Sequence, residues 1–114
     1  LADLPTKDKE ISKLKKLFKS VPKDTMKLIL PLIENAAFMT EQLAILQETI
    51  SKNGVISEYK NGENQYGTKK SPEVEVYNTM IKNYCTVIKQ LAEFLPDGAP
   101  EKDELTMFIQ ARRK

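Results

Sequence analysis

The string Gly62-Glu63-Asn64-Gln65-Tyr66-Gly67-Thr68-Lys69 has the two-glycine spacing of a phosphate-binding P-loop. That motif needs Lys directly after the second Gly, then Ser or Thr, so that backbone N–H groups and the ammonium converge on phosphate oxygens. Here Thr precedes Lys and the flank reads as a hairpin, so nucleotide binding is not expected. Cys85 is the sole cysteine and histidine is absent. The missing histidine removes Ser-His-Asp and Cys-His triads, His general bases and every His-containing metal site. Cys85, with no base to activate its thiol, is expected to be a small buried apolar residue. The carboxylate pairs Glu73/Glu75 and Asp103/Glu104 are too close in sequence to share a helix face and read as helix-start charges. The chain is therefore not expected to be an enzyme or to hold a metal or cofactor.

Cationic side chains are what remains. The chain has 114 residues and a net charge of only +2, but the charge is uneven. Residues 1 to 27 carry eight Lys against four acids, a local +4, and residues 28 to 53 sum to −2. Lys9, Lys13 and Lys16 recur on one face of a first helix, Lys23 and Lys27 follow at the start of a second, and Arg112, Arg113 and Lys114 close the chain. Such a set can neutralise nucleic-acid phosphates without reading sequence, or can simply be a solvated surface.

The elements that must position these groups follow from apolar periodicity. Thr6 is the expected N-cap of a helix over 7–19, with Ile11, Leu14, Phe18 and Val21 spaced by three and four. Ile29, Leu32, Ala36, Met39, Leu43, Leu46 and Ile50 form a heptad seam ending at Asn53-Gly54, with a kink or helix junction expected near 30 because of Pro31. Val55 to Tyr59 is β-branched and aromatic, and Asn61-Gly62 suits a type I′ turn, so a small β-hairpin over 55–70 is expected, with a loop at 66–69 as the alternative. Ser71-Pro72 reads as N-cap and first helical residue. Val74, Tyr77, Ile81, Tyr84, Ile88, Leu91 and Leu95 then form a second seam before Pro96-Asp97-Gly98. Pro100 to Lys114 reads as a short final helix.

The expected fold is mostly α: one domain over 1–114, with basic N-terminal helices at 7–30, a long antiparallel helical hairpin at 31–95 and a C-terminal helix at 99–114. The longest apolar stretch, Met26 to Ile33, is too short to cross a bilayer, so no membrane span is expected. A second apolar row, Met80, Val87 and Phe94, recurs every seven residues on the later long helix. Its counterpart on the earlier one is Ala37 with Ala44, or Phe38 with Ile45. One hairpin cannot bury both rows, so the spare one is expected to face a terminal helix or another subunit.

Gly54-Val55-Ile56, Asn61 to Gly67, Lys69-Lys70-Ser71-Pro72, Tyr77 to Tyr84 and Leu91 to Pro96 together resemble the P27 family of bacteriophage terminase small subunits. The resemblance spans roughly residues 34 to 96. It implies a non-enzymatic protein of the bacterial host cytoplasm that assembles as a ring homo-oligomer, binds double-stranded viral DNA at the packaging start site and regulates the large terminase subunit, whose ATPase and nuclease do the chemistry. Family members usually carry more chain at the N-terminus, often a helix-turn-helix, which residues 7–30 do not reproduce. The competing expectation is a coiled-coil interaction module or phage-encoded inhibitor that binds a host protein and no DNA.

Overall fold

Thr6 starts the first helix in the expected way: its Oγ1 accepts from the Lys9 N–H at 3.4 Å. In the computed structural model, which describes residues 4–60 and 66–113 and side chains outside 57–70 and 111–113, this is the first of four helices. α1 spans Lys7–Leu17, two residues shorter at its end than expected, with acids in its first turn and Lys15 and Lys16 in its last, as the helix dipole favours. The free Lys7 N–H donates to Glu41 Oε2, 34 residues away, at 3.0 Å.

After a turn closed by the Val21 N–H on the Phe18 carbonyl at 3.1 Å, α2 spans Lys23–Asn53. It is one helix of 31 residues with Pro31 inside it, so the expected junction near 30 is absent and residues 23–30 belong to the long helix. The physical reason is exposure. Proline deprives the Lys27 carbonyl of its donor, but Lys27 and Pro31 both face solvent, where water can satisfy that carbonyl. By length and composition alone α2 could cross a membrane, with a mean hydropathy of 1.2 over its most apolar window; 44% of that window is buried inside the chain. Gly54 ends the helix at φ 80, its N–H donating to the Ile50 carbonyl at 2.7 Å.

Two short extended segments follow, β1 at Ile56–Lys60 and β2 at Tyr66–Lys70, paired antiparallel. Lys60 stands opposite Tyr66, leaving five residues between the strands. A two-residue turn at Asn61-Gly62 would instead have put Lys60 opposite Glu63. The expected type I′ turn itself lies outside the described residues.

α3 spans Pro72–Ala92, with Pro72 in its first turn. Ser71 occupies the N-cap position but does not cap with its side chain. Its Oγ donates to the Gly54 carbonyl at 3.1 Å and its N–H to the Val55 carbonyl at 2.9 Å. Ser71 is buried, so these two bonds tie the start of α3 to the end of α2 where water has no access. α4 spans Pro100–Arg113, after a turn in which Gly98 takes φ 79.

α2 is the common packing partner. α1 folds back along its first part, as the Lys7–Glu41 bond requires, and α3 runs along it in the opposite direction, with Gln47 Nε2 donating to the Tyr77 hydroxyl at 3.0 Å. α4 then folds back on α3 and brings Ile109 beside Ile81 and Cys85. The shared core joins Leu14 and Phe18 of the first segment, Ile29, Ile33 and Leu43 of α2, Tyr84, Ile88 and Leu91 of α3, and Leu105 of α4. Because the helices pack lengthwise, the molecule measures 64 × 27 × 23 Å. Its radius of gyration of 17.8 Å exceeds the roughly 13 Å of a globule of this length.

The ties at the helix ends can be tested by substitution. Gly54→Ala forces a Cβ into a positive-φ conformation and should cost about 1–3 kcal/mol, whereas Ser71→Ala leaves the Gly54 carbonyl without its donor and should cost about 1–2 kcal/mol. Both are read as lowered urea midpoints with unchanged helical circular dichroism in the folded state. A further prediction concerns Asp97, 2.7 Å from Lys102 Nζ. That hydrogen bond and the positive charge behind it hold the Asp97 carboxyl below its ordinary value. Its contribution to stability is thus present above the unfolded-state pKa and lost as pH falls through the lower folded one. A carboxyl NMR titration should show Asp97 titrating low, and Lys102→Ala should move it back up.

Candidate nucleic-acid and protein interaction surfaces

The lysines are placed by the corner between α1 and α2. Lys9, Lys13 and Lys16 project from one exposed face of α1, and Lys23 and Lys27 from the exposed first turns of α2. Since the connection covers only residues 18–22, Lys16, Lys19 and Lys23 gather around one end of the molecule. Lys9 stands about 10 Å further along α1 from Lys16, two helical turns away. Lys13 is engaged: its ammonium lies 3.1 Å from Glu10 Oε2, and Glu10 is itself buried. The result is a cationic corner of three to five side chains.

α4 starts near the far end of α3 and runs back beside it, so the backbone of Arg112 and Arg113 lies roughly 20 Å of helix away from Pro100; their side chains lie outside the described residues. Lys114 lies outside the described residues, as do Gly62 to Gln65 of the phosphate-loop-like string.

The apolar rows are redistributed as well. Ala37 and Ala44, offered as a row for a terminal helix or for an oligomer interface, are buried inside the chain, so of the two neighbours they meet the terminal helix α1. They flank Glu41 on α2, the residue that receives the α1 N-terminus, and their small side chains let α1 lie close. Met80 and Val87 are half-buried and pack against the core, while Phe94 keeps 36% of its surface exposed. On α2 the exposed alternative is the one that remains, with Phe38 at 44% and Ile45 at 43%. An open groove of about 430 Å³ runs between α2 and α3, lined by Met39, Glu75, Val76, Thr79, Met80 and Asn83. A larger groove of about 660 Å³ lies where Leu4 and Pro5 approach Gln47, Ile50, Val74 and Tyr77.

Among the described residues no three His, Cys, Asp or Glu side chains stand close enough to share a metal ion. Cys85 is half-buried beneath α4 rather than fully enclosed, next to Lys82 and Lys89. The sequence missed the buried Glu10 and the Ser71–Gly54 tie. For Glu10 no local signal exists, because its burial comes from the fold of α1 onto α2. For Ser71 the local signal is that of a cap, since Ser-Pro before an apolar run has that meaning in most helices. No family model matches the chain, and neither a curated protein nor a solved structure matches it.

Proposed function

We propose that the chain is a non-enzymatic small terminase subunit, which self-associates, binds double-stranded viral DNA through its cationic corner and acts on the large terminase subunit. The observation that carries this reading is where the resembling residues fall. Gly54, Ser71-Pro72 and Tyr77 belong to the resemblance, and they are also the residues that stop α2, tie α3 to it and bond the two helices to each other. The resemblance therefore covers one mechanical unit, a reversing helical pair with extended segments at Ile56–Lys60 and Tyr66–Lys70 at its tip, here taken as a β-hairpin. The lysine corner supplies phosphate-binding charge without base-reading groups, which suits sequence-tolerant attachment. The uncharged exposed apolar residues of α2 and α3 favour the second reading, a helical interaction module for a protein partner, because phosphate gains nothing from such a surface.

DNA binding measured against salt separates the two. Changing Lys16, Lys23 and Lys27 to Gln should weaken binding to all duplex sequences alike and flatten the log–log salt slope by about 0.9 for each phosphate no longer neutralised. Absence of duplex binding by the unchanged chain at low salt would favour the interaction module.

A further inference from the structure

The face of the α2/α3 pair opposite to α1 and α4 carries no formal charge between Leu28 and Thr49 of α2 and between Val76 and Phe94 of α3; Asp24, one turn before Leu28, stands at its end. α1 lies on the Glu41 flank of α2 and α4 on the Ile81–Cys85 flank of α3. In a pair of antiparallel helices those flanks lie on the same side, and the groove on the other side is walled by α2 and α3 alone. On α3 that side bears Val76, Met80, Asn83, Val87, Gln90 and Phe94. Glu75, about 100° round the helix from Val76, stands at the rim of the groove. On α2 the same side bears Leu28, Asn35, Met39, Gln42, Leu46 and Thr49. None of these twelve is charged, and Met39, Met80 and Val87 among them are half-buried against the core. Leu28 is 68% exposed and Val76 49%, and the amides of Asn35, Gln42, Asn83 and Gln90 make no side-chain hydrogen bond among the described residues.

We infer that this face binds a second copy of the chain, with α3 antiparallel to α3 of the partner subunit and Val87 on the two-fold axis. Three features select that occupant. The face brings no charge, so its partner must bring none either, because an ion placed there would lose water without gaining a counter-charge. Nucleic acid fails that condition and a second copy meets it. The α3 row also reads alike in both directions about Val87: amides at 83 and 90, then apolar Met80 and Phe94 outside them. A two-fold axis there sets Asn83 beside Gln90 of the partner subunit and Met80 beside Phe94 of the partner subunit. Amide thus meets amide, and such a polar pair in an apolar seam fixes register. The area suffices too: two helices side by side over about 30 Å present roughly 600 Å² per copy, so the contact buries about 1,200 Å² in total, the lower bound of a stable interface.

This contact goes beyond the packaging reading and does not rest on DNA binding. It is isologous, whereas a closed ring is made of heterologous contacts. A chain that forms both must close the ring through other surfaces.

The symmetry makes the test specific. In a Cys85→Ser background, Val87→Cys should form an inter-subunit disulfide on mild oxidation, because a residue on the axis meets itself. Asn83→Lys with Gln90→Lys sets like charges together and should weaken dimerisation at least tenfold, read by native mass over a concentration series. Asn83→Glu with Gln90→Lys sets opposite charges together and should keep the dimer. Both side chains are exposed, so circular dichroism should show folded chains in each case. An unchanged chain that stays monomeric at tens of micromolar, a Val87→Cys chain that does not cross-link, or two double variants with equal effect would each overturn the contact.

Discussion

One helix buried on two flanks holds the molecule together. α2 offers Ile29, Ile33, Ala36, Ala37, Leu43 and Ala44 to neighbours on different sides, and each of these is almost fully removed from solvent. Burying a large aliphatic side chain stabilises by about 1.5–3 kcal/mol, so Ile29, Ile33 and Leu43 are the main anchors, while the alanines act by allowing close approach. α1 packs chiefly on α2, and α4 chiefly on α3. A long central helix that two shorter helices follow lengthwise gives an elongated body, which is why the molecule extends 64 Å in one direction.

Polar groups inside this arrangement are held by bonds that span elements. The Lys7 N–H, left over at the start of α1, finds Glu41 on α2, and the Gly54 carbonyl, left over at the end of α2, finds Ser71 before α3. Each pairing satisfies an unused helix-end group with a side chain from another element, so it also sets how one helix is placed on the next. Thr40, buried against its neighbours, returns its hydroxyl to the Ala36 carbonyl and needs no outside partner. The helix ends therefore act as the fixed points of the fold, and the apolar seams fill the distance between them.

Lengthwise packing leaves surfaces of opposite character. Where α1 turns into α2, lysines crowd the corner and can meet phosphate; along the open side, from Leu28 to Thr49 of α2 and from Val76 to Phe94 of α3, no residue is charged and amides alternate with apolar side chains. These are separate surfaces with different chemical requirements, so a polyanion and a protein partner would not compete for them. An assembly that uses one for DNA and the other for a second copy is compatible with the shape of a single chain.

Much of the helical content was legible in the sequence. The spacing of Ile29 to Ile50 and of Val74 to Leu91 marks two long helices, Thr6 and Gly54 mark ends, and the burial of Ile29, Leu43, Tyr84, Ile88 and Leu91 follows from those seams. These are local properties, because an amphipathic stripe needs only the helical repeat to be read. Tertiary structure decided the rest. Pro31 stays within a continuous helix because its side faces water, and Ala37 and Ala44 are covered because α1 returns along them. Each of these depends on which flank of a helix another element covers, and a sequence period defines a stripe without saying which neighbour will lie on it.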